Sequence, residues 1–187
     1  MRCIIFISVL LIAAGSILFS CNKYKDSKAV QDPRLINPYC NDPLAVNYNW
    51  GFPGKPDNTV CFYPPSLFKG AFLFYDSVSL LSSGLFIYAD SLVLTIHALS
   101  KTKISIFGFC SNGDSILLTA SAQYVASVDT LGDTVTHWGQ PFCSTGDTVS
   151  GTVTKDRIND SLIYFNFQVA SDTGVVTTHI GSARRIQ

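Results

Sequence analysis

The sequence predicts an all-β fold: an antiparallel meander of about eight strands closed into a small barrel, with a two-sheet β-sandwich as the alternative. Three observations carry that expectation. The chain of 187 residues contains no glutamate, so its 13 acidic residues are all Asp, while it holds 13 Phe and 8 Tyr. Asp is a poor helix former, whereas aromatic and β-branched residues suit a pleated, half-buried surface. A tripeptide of Asp, Ser or Thr, and an aliphatic recurs at Asp76, Asp90, Asp114, Asp129, Asp133, Asp147 and Asp160. Asp bonds its own backbone in turns, so each copy reads as a turn that opens the next strand. Finally, apolar and polar residues alternate over short runs, and eight or so such strands hide their edges most completely by closing on themselves.

Residues 1–20 start with one positive charge, Arg2, followed by an apolar run from Ile4 to Phe19. These are the parts of a secretory signal, and the run is shorter than the roughly 20 apolar residues of a membrane span. The run ends in Leu18-Phe19-Ser20-Cys21, which resembles the bacterial lipobox, with an aliphatic, a variable and a small residue ahead of the lipidated cysteine. The resemblance implies cleavage before Cys21, lipid (palmitate and diacylglycerol) on that residue, and residues 21–39 as a tether. Stable anchoring takes more than one acyl chain, which such a modification supplies.

Four cysteines then remain: Cys40, Cys61, Cys110 and Cys143. An even count in an exported chain implies disulfides, and three pairings are open. The nearest-neighbour pairing is favoured by the local patterns. Residues 40–66 are rich in Pro, Gly, Asn and Asp, which predicts irregular backbone. A Cys40–Cys61 bridge would close a loop of about 20 residues and stabilise it by about 3 kcal/mol. Further on, Phe109-Cys110-Ser111-Asn112-Gly113-Asp114-Ser115-Ile116 is a near copy of Phe142-Cys143-Ser144-Thr145-Gly146-Asp147-Thr148-Val149. Each puts a cysteine at a strand end, and equivalent ends can face each other across a rim.

Cys40, Asp42, Pro43, Ala45, Asn47, Tyr48, Asp57, Cys61 and Tyr63 resemble a cysteine-bounded Asp-Pro/Asn-Tyr motif of exported Bacteroidetes proteins. A calcium ion on Asp42, Asn47, Asn49 and Asp57 is the sharper reading of this stretch. Asn and Asp satisfying turn backbone is the plainer one and is preferred.

The β domain spans residues 67–187. Its clearest strand is Leu162–Val169, where Ile163, Phe165, Phe167 and Val169 alternate with Tyr164, Asn166 and Gln168. Leu92, Leu94, Ile96 and Ala98 repeat the pattern. Between Lys103 and Phe109 the apolar phase slips around Gly108, which predicts a β-bulge there. Further strands are expected at 71–75, 84–88, 115–121, 123–127, 148–154 and 175–183. Phe68-Lys69-Gly70-Ala71-Phe72 and the late Arg184 are similar to the lipocalin pattern, in which glycine and an aromatic open the first strand and an arginine covers the base. The layout as a whole resembles lipocalin-like Bacteroidetes lipoproteins. An apolar ligand cavity, if the barrel has one, would be lined by Leu94, Ile96, Ile104, Ile106, Phe165 and Phe167, although filling the core is their commoner role.

Catalysis is not expected, and neither is a cofactor. Gly113-Asp114-Ser115-Ile116 resembles the first block of the Gly-Asp-Ser esterases, but no Asp-x-x-His accompanies it, and Asp133 and His137 are four apart. His97, His137 and His179 are isolated from each other in sequence, unlike zinc ligands, and read as surface side chains. With 13 Lys and Arg against 13 acidic residues, the net charge of zero gives no electrostatic case for nucleic acid. The sequence therefore points to a non-enzymatic, membrane-anchored lipoprotein of the outer membrane, periplasmic or surface-facing, serving as an accessory or structural component. A lipocalin-like module for a small apolar ligand is the alternative. The partners expected are the membrane through its lipid, together with a protein or an apolar small molecule.

Overall fold

The computed structural model of the chain describes residues 32–130 and 139–186. The expected signal segment, Cys21, the start of the expected tether, Asp133 and His137 lie outside them. No helix among the described residues is long and apolar enough to cross a membrane.

Ahead of the barrel, β1 (Pro38–Tyr39), just before Cys40, and β2 (Lys55–Pro56), within the cysteine-bounded segment, form a two-residue parallel ladder. A four-residue helix, α1 (Pro65–Phe68), follows. Pro65 near its start is pre-organised for a first turn, and Leu67 and Phe68 are buried, so the helix closes one end of the barrel. The remaining strands are β3 (Gly70–Leu80), β4 (Phe86–Ala98), β5 (Lys103–Phe107), β6 (Ser115–Ala120), β7 (Val125–Val128), β8 (Gln140–Phe142), β9 (Ser144–Lys155), β10 (Leu162–Ala170) and β11 (Val176–Ile186).

All pairings in this set are antiparallel, in the order β10-β11-β3-β4-β5-β6-β7-β9, and β9 pairs back onto β10. Eight strands thus close a barrel, and β8 adds to β9 as an extra strand. The barrel, not the sandwich, is the solution this chain adopts. Alternation decides which side chains enter it. Along β10, Ile163, Phe165 and Phe167 are buried while Tyr164, Asn166 and Gln168 are exposed. Along β3, Phe72, Phe74, Asp76 and Val78 are the buried set. Each fully buried Phe, Leu or Ile side chain contributes about 1.5–3 kcal/mol relative to exposure.

Several expectations are corrected. Residues 86–88 of the strand expected at 84–88 and residues 92–98 belong to one strand, β4, because the Asp90 tripeptide between them does not turn the chain. Asp76, Asp90 and Asp147 all lie within strands; Asp114 and Asp160 do precede strands as expected. The β4–β5 ladder runs from Thr95↔Phe107 to Ala98↔Ile104 without a shift, so no bulge interrupts it at Gly108. Instead β5 stops at Phe107, and Gly108, at φ 110°, passes so near β4 that a Cβ would lie 2.3 Å from the Val93 carbonyl oxygen. The register shift falls between Val78 and Ser79 on the β3–β4 pair.

Candidate functional site

The barrel wall is uneven. β3, β4, β9 and β11 have 11 to 13 residues each, whereas β5, β6 and β7 have 5, 6 and 4. Above the short strands, the chain segments holding Cys110 and Cys143 are joined by a disulfide, as the near-copied sequences suggested. The bridge brings Phe109 and Phe142 to 6.2 Å between ring centroids. Phe109 in turn packs at 5.7 Å from Phe74, 6.1 Å from Phe165 and 5.8 Å from Phe167. The disulfide therefore fastens an aromatic stopper over the low side of the wall.

Beneath that stopper, the six residues expected to line a cavity are brought together as one cluster. Leu94, Ile96, Ile104, Ile106, Phe165 and Phe167 are all buried to 1% exposure or less, with Phe165 and Phe167 edge to face at 5.5 Å. Phe72, Phe74, Ile116, Leu118 and Val153 belong to the same cluster. They form the packed core.

Asp76 is a charged group within this interior, and Lys155, at the end of β9, is another. Asp76 points inward from β3, and its cross-strand neighbours are Gly181 on β11 and Asp90 on β4. With no side chain on Gly181, the carboxylate meets the next inward residue along β11 instead. Asp76 Oδ2 lies 2.7 Å from His179 Nδ1, and His179 Nε2 lies 3.2 Å from Thr177 Oγ1. Asp76 is 5% exposed and, among the described residues, its Oδ1 has no hydrogen-bond partner. An unpartnered buried acceptor costs about 1–3 kcal/mol, so the fold carries this group against its own stability. His179 is half-buried and bonded at both nitrogens, and is not the surface side chain that its isolation in sequence suggested. A carboxylate, an imidazole and a hydroxyl in that order can relay a proton. Here, however, the Thr177 hydroxyl also reaches the Val169 carbonyl, at 3.4 Å. The alternating phase Phe72, Phe74, Asp76, Val78 is the sequence signal that would have placed Asp76 indoors.

The cysteine-bounded segment carries the expected Cys40–Cys61 disulfide. Oxygens of its Asp and Asn side chains serve local donors. Asp42 Oδ2 accepts from Lys101 Nζ at 2.7 Å and Tyr63 OH at 2.9 Å, and Oδ1 accepts from the Leu44 amide at 3.0 Å. Lys101 foremost, then the Leu44 amide and the Tyr63 hydroxyl, lower the Asp42 carboxyl to about 2. Asn47 Oδ1 accepts from the Phe62 amide, and Asp57 Oδ1 from the amide and hydroxyl of Thr59. Asn49 takes a left-handed turn conformation, at φ 58°. The segment is thus fastened to the β4–β5 turn through Asp42 and Lys101, and among the described residues no three His, Cys, Asp or Glu side chains cluster as metal ligands.

Two further expectations resolve locally. In Gly113-Asp114-Ser115, Asp114 Oδ2 accepts from Asn112 Nδ2 and the Asp114 amide donates to Asn112 Oδ1, while Ser115 opens β6 opposite Phe107. His97 is exposed, its ring 5.5 Å from that of Phe107. At the base, Arg185 and not Arg184 covers the first strand. Its guanidinium lies 4.9 Å from the Phe72 ring centroid and donates to the Lys69 carbonyl at 2.7 Å. Arg185 shares the phase of the buried Ala183, whereas Arg184 falls on the opposite face of β11.

No protein-family model matches the chain, and no curated protein matches it. Among solved structures, it is similar to a redesigned β-barrel at 18% identity, over 66% of this chain and 96% of that one, with a TM-score of 0.40. It is also similar to EF1p2_mFAP2b bound to DFHBI, at 14% identity over 66% and 97% of the two chains, with a TM-score of 0.40. The barrel is read from this chain's own strand pairing.

Proposed function

We propose that the protein is a non-enzymatic lipoprotein, exported, cut before Cys21, and held by lipid on that residue as an accessory or structural component of the outer membrane. The observation that supports this best is that Cys40, Cys61, Cys110 and Cys143 are all in disulfides. Two structural bridges suit an oxidising compartment, and they leave Cys21 as the one unpaired cysteine after a signal of residues 1–20 is removed. The test is metabolic labelling with a palmitate analogue together with membrane fractionation of wild type and Cys21→Ala. Label on the wild type alone, with the variant released from membranes, is expected. Unlabelled wild type would overturn the reading, and protease shaving of intact cells then assigns the face.

A second reading, a binding module for a small ligand, is favoured by Asp76 Oδ1, buried beside the apolar core with no hydrogen-bond partner among the described residues. Such a ligand would bring a hydrogen-bond donor to that oxygen as well as an apolar body. Native mass spectrometry of the protein purified from its own membranes is the check: a co-purifying small molecule that Asp76→Ala no longer retains supports the module. An unadorned mass for the wild type removes it.

A further inference from the structure

At the opposite end from the aromatic stopper, α1, Phe62 and the ends of β9 and β11 enclose a cleft of about 290 Å³. It is lined by Phe62, Ser66, Leu67, Lys155, Asp160 and Arg185. Lys155 is the last residue of β9 and continues the inward phase of Val149 and Val153. Its side chain is only 2% exposed. The ammonium has three protons to donate, yet among the described residues its one hydrogen bond goes to the Asn159 carbonyl at 3.2 Å. The nearest carboxylate, Asp160, is 3.7 Å away and fully exposed to water, so it screens the charge poorly. Arg185 bonds the Lys69 carbonyl through Nη1, and the rest of its planar fork of donors has no hydrogen-bond partner among the described residues. Two cations, one of them buried with donors to spare, thus converge on a concave space with Phe62 and Leu67 as its apolar wall.

We propose that this cleft binds the carboxylate or phosphate group of a small ligand between Lys155 and Arg185, with Phe62 and Leu67 against the ligand's apolar part. Ligand sites commonly run from about 300 to 1,000 Å³, so this one suits a short molecule or a single head group. An oxyanion there would accept the two unmet Lys155 protons and replace the distant Asp160 as counter-charge. Burial pushes the Lys155 ammonium below its ordinary value, and an arriving anion would push it back up. Two sources share this chemistry: a free metabolite, or a lipid head group. The second source alone rests on the lipid-anchor reading above.

The experiment titrates the mature, full-length protein in detergent with butyrate and with inorganic phosphate, followed by NMR of backbone amides around Ser66 and Asn159. Saturable shifts are expected for at least one anion. Lys155→Met should weaken that binding about tenfold or more, the size of one lost charge-assisted hydrogen bond. Asp160→Asn, a change at an exposed side chain, should tighten it by removing the competing carboxylate. A parallel arm uses vesicles with and without phosphatidylglycerol. Binding only to anionic vesicles, still sensitive to Lys155→Met, assigns the head group as the source, whereas binding of the soluble anions assigns a free ligand. No saturation with either anion or either vesicle, or equal affinity in wild type, Lys155→Met and Asp160→Asn, overturns the site. None of these readouts depends on acylation of Cys21, so a failed lipid anchor and a failed anion site give different results.

Discussion

The Arg185 guanidinium lies over Phe72, 4.9 Å from the ring centroid, in the space that Gly70 vacates at the start of the same strand. Gly70 has φ 144°, and a Cβ there would come within 2.5 Å of Arg185 Nη1. The first and last strands of the barrel are therefore fastened together at its base by a glycine, an aromatic and an arginine. Gly70→Ala is expected to cost about 1–3 kcal/mol, from both backbone strain and displacement of the guanidinium. Urea unfolding measures it, and a midpoint equal to the wild type's would mean that Arg185 moves aside freely.

The second disulfide should matter for the upper end of the barrel. Cys110 and Cys143 are 33 residues apart in sequence, and closing such a loop is worth about 3–4 kcal/mol in the chain-entropy account. Cys110→Ser with Cys143→Ser is therefore expected to lower the thermal midpoint and to weaken the near-ultraviolet circular dichroism from Phe109 and Phe142. Far-ultraviolet spectra should stay β-like below the transition. Loss of that signal at ambient temperature would show that the bridge is needed to form the barrel at all.

Much of this architecture was legible in the strand alternation. Ile163, Phe165 and Phe167 announce their own face, and so do Leu94 and Ile96, because burial of one side of a strand has a period of two. The Asp–Ser/Thr–aliphatic tripeptide misled for a physical reason. The same three residues that open a strand after a turn at Asp160 also fit mid-strand at Asp76, where only the phase of the flanking Phe72, Phe74 and Val78 tells the two apart. Phase would equally have chosen Arg185 over Arg184. By contrast, nothing local in the sequence pairs Asp76 with His179, which lie 103 residues apart and meet only because β11 returns beside β3.

Acid should loosen the cysteine-bounded segment before the barrel. The folded Asp42 carboxyl sits at about 2, below the ordinary value of 3.8, chiefly through Lys101. A carboxylate with a lowered folded pKa binds fewer protons in the native state than when unfolded, so stability rises with pH in that window. Its contribution is complete above about pH 4 and fades as pH falls toward 2. Amide exchange at Leu44 and Phe62 should accelerate across that range in the wild type. Lys101→Met should remove most of the pH dependence, and unchanged exchange profiles in that variant would show that the Asp42 contact does not hold the segment.

Lys155 works in the opposite sense to Asp42. Burial, the largest influence on its ammonium, lowers its pKa from 10.5, while the exposed Asp160 offsets this only in part. The unfolded chain then binds more protons than the native one between the lowered pKa and the ordinary lysine value, so native stability should climb with pH through that alkaline window. Below it, the protein holds a buried cation whose partners among the described residues are the Asn159 carbonyl and, at 3.7 Å, the exposed Asp160 carboxylate. Replacing such a charge by an apolar side chain of similar length commonly leaves stability unchanged or raises it. Lys155→Met should therefore raise it by about 1 kcal/mol at neutral pH and flatten the alkaline climb. Urea midpoints at neutral and alkaline pH, for both proteins without added anion, decide the matter. A less stable Lys155→Met would mean that the bond to Asn159 outweighs the burial of the charge, and that the cleft keeps its lysine for the fold itself.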